Sequence, residues 1–86
     1  MPRVKPLVGT KFEPRWKEWE ERIVSEYGML LTTAQLGNVI GMSSYDRIKK
    51  WARDEGIEAV PIGNRTKWDA RSIAQAIDRA RFRAIS

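Results

Sequence analysis

Arg47, Lys49, Lys50 and Arg53 fall within seven consecutive residues, and Asn64, Arg65, Thr66 and Lys67 follow a glycine further along the chain. Guanidinium and ammonium groups at this density suit polyanions. They neutralise phosphates, and their forked or pointed donors match guanine O6 and N7. Covalent chemistry is poorly served. The 86 residues include no cysteine and no histidine, which removes disulfides, thiolate zinc sites, imidazole metal ligation and the commonest general base. No carboxylate pair, nucleophile with its base, or phosphate-cradling loop stands out. The expectation is a binding protein and not an enzyme, with no metal or cofactor.

Charge along the chain supports that expectation. Sixteen Lys and Arg against eleven Asp and Glu give +5. Residues 1–28 carry six basic and five acidic side chains, for +1, and residues 29–86 carry ten and six, for +4. The excess sits where the basic clusters sit, so a polyanionic partner is expected there. An ordinary solvated basic surface is the alternative reading of charge alone. No long apolar run predicts a membrane span, and residues 1–20 lack the pattern of a signal peptide, so a cytoplasmic location and no membrane partner are expected. A chain this short buries only about 60 to 65 % of its unfolded surface, enough for one core and an appendage.

The basic clusters need elements to hold them. Residues 1–12, with two prolines, a glycine and three basic side chains, read as a flexible basic arm. Over 13–28, Trp16, Trp19, Ile23 and Tyr27 recur at steps of three and four, with Pro14 suited to a first turn and Gly28 to a cap. This is an amphipathic helix whose other face carries Glu18, Glu21, Arg22 and Glu26. Its tryptophans either pack on the following domain or form a partner-binding or self-association surface.

After the apolar bridge "MLL", Thr32 and Gln35 have the spacing of a capping box, Leu36, Val39 and Ile40 form a stripe, and Gly41 ends the helix. Ser43 and Asp46 repeat the cap spacing, and Tyr45, Ile48, Trp51 and Ala52 form one face of a helix ending near Gly56. Two short helices around a glycine predict a helix-turn-helix. With Ile48 inward, the other face is mostly cationic. Arg47 and Lys50 are the candidates for base edges, and Ser43, Ser44, Lys49 and Arg53 for phosphates. Tyr45 suits either the core or the ligand.

Further on the period changes. Ile57, Val60 and Ile62 on one arm and Trp68 on the other flank a turn near Gly63 and Asn64, as in a two-stranded hairpin. Pro61 confines its strand to an edge. The hairpin projects Arg65 and Lys67, with Asn64 and Thr66 adding hydrogen bonds, where they can track phosphates or enter a minor groove. Trp68 is expected to anchor its base in the core. Asp69 then caps a closing helix with the stripe Ile73, Ile77, Ala80 and Ala84 and a basic end at Arg79, Arg81 and Arg83.

This order of elements, mostly α with a small β-hairpin, is that of a winged helix-turn-helix with an extra N-terminal amphipathic helix, the winged part covering 29–86. "LLTTAQLGNVIGMS", "KKWARDEG" and "VPIGNRTKWDARSIAQAI" resemble the DNA-binding domains of phage and mobile-element excisionases, which share their fold with MerR-type regulators. The shared features are Leu31 and Thr32, Gly41, Ser43, Trp51, Gly63 with Arg65, and Trp68 with Asp69, over roughly residues 30–78. The N-terminal helix has no counterpart in the pattern. The resemblance implies a sequence-selective double-stranded DNA-binding protein, a recombination directionality factor that binds adjacent sites cooperatively, bends the duplex and assists a tyrosine recombinase, or integrase. A small phage or plasmid transcriptional repressor, or a terminase small subunit, would use the same elements. From another class, a protein-interaction adaptor would use the Trp-rich helix and keep the rest as scaffold.

Overall fold

The computed structural model describes residues 13–85, which form four helices and a three-stranded antiparallel sheet. The arm expected over 1–12 lies outside the described residues. In chain order the elements are α1 (Trp16–Tyr27), β1 (Leu30–Leu31), α2 (Thr33–Ile40), α3 (Tyr45–Asp54), β2 (Ala59–Ile62), β3 (Arg65–Asp69) and α4 (Ala70–Ile85). None of the described helices is long and apolar enough to cross a membrane.

The local signals mostly act as their chemistry dictates. Thr32 Oγ1 accepts from the Gln35 amide at 3.1 Å while Gln35 Oε1 accepts from the Thr32 amide at 3.0 Å, a reciprocal pair that satisfies two otherwise orphaned donors of α2. Gly41 adopts φ +76°, the left-handed conformation that closes the helix. For α3 the cap is Ser44 rather than Ser43: its Oγ accepts from the Arg47 amide at 3.4 Å. Burial of Ile48 and Ala52 sets the phase of α3, and in that phase the side chain three residues before Arg47 is the one in reach. Pro14 lies outside α1, whose N-cap is Arg15.

The bridge before α2 is itself a strand. Leu30 pairs with Asp69 and Leu31 with Trp68, so β1 joins the hairpin to give the order β1-β3-β2. Two residues are too short for any alternation to reveal. The hairpin turns at Gly63 and Asn64, and Pro61 lies on the outer strand β2, opposite Thr66. The central strand thus keeps its donors.

Leu31, Leu36, Ile48, Ala52, Ile57, Trp68, Ala70, Ile73, Ala74 and Ala76 form the core, joined by Ile23 from α1. Trp16, Trp19 and Tyr27 pack against it half-buried, so the apolar face of α1 enlarges the core through α4. Arg71 of α4 stacks on the Trp16 ring, 5.6 Å from its centroid, and reaches Glu20 at 3.3 Å. Asp78, 5 % exposed, accepts from the Arg15 backbone amide and from the Arg81 guanidinium, both at 2.6 Å. A carboxylate on α4 therefore fixes the start of α1, a link across 63 residues. The buried side of α4 is broader than one stripe: Ala70, Ala74 and Ala76 are buried beside Ile73, while Ala84 is exposed. The helix is wedged between the sheet and α1, and alanine lets both approach.

The basic end of α4 serves packing. Arg79 donates to the Glu55 backbone oxygen, and Arg83 meets the Glu55 carboxylate at 2.8 Å. Both arginines bind the C-terminal end of α3, where free carbonyls and Glu55 concentrate negative charge.

Gly37 sets the closeness of α2 and α3. A Cβ built there would stand 2.6 Å from Ile48 Cδ1 and 2.6 Å from the Met42 carbonyl oxygen. The side chain could rotate away, but the carbonyl belongs to the turn. Gly37→Ala is therefore expected to destabilise the domain by about 1–3 kcal/mol, overpacking outweighing the gain of roughly 1 kcal/mol in helix propensity. Chemical denaturation reads the change, and an unchanged or raised midpoint would mean that the helices separate freely.

Candidate nucleic-acid interface

A groove of about 320 Å³ runs between the start of α2, the first turns of α3 and the hairpin. Thr32, Thr33 and Ala34 form one wall, Tyr45 and Lys49 another, and Asn64, Arg65, Thr66 and Lys67 the third. Its lining supplies three cations and four hydroxyls and no carboxylate.

Each wall follows from local structure. Thr32 stands at the helix start because the capping box requires a hydroxyl residue there, and Thr33 follows as the first residue of the helix. Tyr45 and Lys49 lie one helical turn apart on the flank of α3 that faces the hairpin once Ile48 is buried. The hairpin wall exists because β1 ends early. It covers only Trp68 and Asp69, leaving the neighbouring edge of β3 open from Arg65 to Lys67.

Trp68 ties the walls together. Its ring is 2 % exposed, and its indole N–H donates to Thr33 Oγ1 at 3.0 Å. One side chain thereby joins the base of the hairpin to the first turn of α2. Thr33, accepting through its oxygen, keeps its own hydroxyl proton for a ligand.

The other candidates from α3 are distributed around it. Tyr45 is 55 % exposed and belongs to the groove, not the core. Lys49, assigned from sequence to phosphates, is the α3 cation in the groove wall. Arg47 points about 160° away from it around the helix axis, and Lys50 about 100° away. Lys50 also meets Asp54 at 2.9 Å in an exposed i, i+4 pair, an interaction worth only about 0.3–0.5 kcal/mol that a phosphate can displace. Arg53, one turn on from Lys49 and about 40° from it around the axis, is exposed; Ser43 and Ser44 are exposed ahead of the helix, the Ser44 oxygen already holding the cap.

Thr32, Thr33 and Ala34 were missed as site residues. Their capping pattern was legible, but it speaks of helix initiation, and nothing local brings a helix start to a hairpin 30 residues later. A larger apolar hollow of about 500 Å³ lies between Pro14 and Trp16 and the residues Gln75, Phe82 and Arg83 of α4. Its charged members Asp78, Arg79 and Arg83 already serve the ion pairs described above. A search of the known protein families, of curated proteins and of solved structures finds no match to this chain, so its function rests on the geometry of the groove.

Proposed function

We propose that the protein is a winged helix-turn-helix that binds double-stranded DNA with sequence selectivity, without catalytic activity of its own. The carrying observation is the groove: cations and hydroxyls from three separate elements converge with no carboxylate among them. A solvated basic surface needs no such exclusion. Helix α3 enters a major groove, the hairpin is the wing and takes the adjacent minor groove, and the first turn of α2 meets the phosphates between them. Thr33 and the partial positive charge of the helix start favour an anion there. Lys49 and Tyr45 line the path of the backbone; Lys50 and Arg53 face the base edges or the far strand.

If Lys49, Lys50, Arg53, Arg65 and Lys67 each neutralise one phosphate, affinity falls with log salt at a slope of about −4 to −5. Selection of bound duplexes from random DNA, followed by salt titration, tests this. Failure to retain duplex in dilute buffer, or a flat salt dependence, overturns it. Lys49→Ala removes one contact and is expected to weaken binding about fivefold near 0.15 M salt. Arg47→Ala, on the opposite flank, changes it less. Equal losses would mean that the helix docks on another face.

Within this reading we place the protein among recombination directionality factors, a role implied by the excisionase resemblance and suited to a single small domain that gains affinity from neighbouring copies. Selected sites in direct repeats and a bent duplex support that role. Palindromic half-sites bound by a defined dimer would indicate a repressor instead.

A further inference from the structure

The groove takes in Asn64 of the hairpin turn but not Pro61 or Ile62 on the other arm, and that arm is apolar. Ile62 is 50 % exposed and Pro61 is exposed beside it. The strand register places Ile62 opposite Arg65 and Val60 opposite Lys67. Paired residues share a face, so these four side chains lie on the side of the hairpin away from Trp68 and Leu31. Ile62 stands three residues beyond Ala59, the partner of Trp68, and at about 3.3 Å per residue that is roughly 10 Å past the core. It cannot fold back into the interior. A branched aliphatic side chain is therefore held in solvent at the end of the short outer strand, next to a guanidinium.

We propose that Ile62, following Pro61 at the end of β2, is an apolar wedge that enters the minor groove beside Arg65 and partly unstacks one base step, kinking the duplex. This rests on the DNA-binding reading above. The charge around it fits a polyanion: residues 59–67 contain Arg65 and Lys67 and no carboxylate, so the apolar tip is delivered to phosphates. The chemistry of the tip suits a base stack. Pro61 has no backbone N–H to strip of water, Ile62 offers only hydrocarbon, and Gly63, at φ +64°, lets the chain turn within two residues so that the tip stays narrow. Arg65, paired with Ile62 across the hairpin, holds a phosphate beside the step that the wedge opens. Bending then arises from insertion, and pyrimidine–purine steps, which unstack most readily, are the preferred points of entry.

The test uses the full chain and A·T-rich duplexes of about 20 base pairs, each with 2-aminopurine at a different position beside a TA or TG step and with energy-transfer dyes at the ends. Binding of the wild-type protein is expected to raise 2-aminopurine fluorescence at one step and bring the ends closer. Ile62→Ser, at an exposed position, keeps the fold and keeps affinity within about tenfold, since phosphate contacts carry most of it. It is expected to lose both signals, and Ile62→Phe to retain them. Wild-type binding without a fluorescence rise at any step, or an undiminished rise with Ile62→Ser, overturns the wedge and leaves DNA binding standing. Absence of any binding by the wild type in dilute buffer overturns both readings together.

Discussion

Trp68→Ala is expected to lower the stability of the domain by about 3–5 kcal/mol, the cost of emptying a buried indole site that cannot fully collapse. A domain of this length has on the order of 4–13 kcal/mol in all, so the loss removes a large share of it. The ring lies 2 % exposed in a core to which α1, β1, α2, α3 and α4 all contribute, and its N–H donates to Thr33 Oγ1. Truncation leaves a cavity, and it also separates the hairpin from α2. Melting followed by circular dichroism should show the midpoint falling by tens of degrees. Trp68→Phe restores most of the volume but not the donor, and should cost about 1–2 kcal/mol. An alanine variant that melts within a few degrees of the parent would show that the core closes without the indole and that the groove is held together by something else.

Neutralising the groove should have the largest effect on binding. Lys49→Ala, Arg65→Ala and Lys67→Ala combined are expected to reduce affinity for duplex DNA by about 10²-fold near 0.15 M salt and to flatten the salt slope by about 2.7, as three lost phosphate contacts require. Folding should be nearly unaffected, since Lys49 and Arg65 are exposed and Lys67 is half-buried outside the core. The two readouts discriminate. A fall in affinity with an unchanged slope would mean that the residues position the protein without touching phosphate, and no fall at all would place the interface elsewhere. The same triple in a background selected for specific sites should lose affinity across sequences alike, because backbone contacts carry no base information.

Much of this arrangement was legible in one dimension because its causes are local. The capping box of α2, the left-handed Gly41, the turn at Gly63 and Asn64, the edge placement of Pro61 and the cap of α4, where Asp69 accepts from the Ser72 amide at 2.8 Å, each depend on residues within four positions of one another. The amphipathic period of α1 announced that one face would be covered. Local signals were least reliable where two neighbouring residues could do the same task, as with Ser43 and Ser44. There the phase of the helix decides, and packing decides the phase.

The chain by itself determined which residue types the protein can use: no imidazole or thiol chemistry, a surplus of cations after residue 29, and helix and hairpin boundaries written in capping and turn residues. Only the tertiary structure decided which cations lie together. Placing Lys49 rather than Arg47 beside Arg65 and Lys67, recruiting Thr32 and Thr33 to the same groove, committing Arg79 and Arg83 to Glu55, and leaving Ile62 beyond the core all depend on contacts between residues far apart in sequence. Such contacts are set by how Ile48, Trp68 and the alanines of α4 share one interior, and a small core admits few ways of doing so.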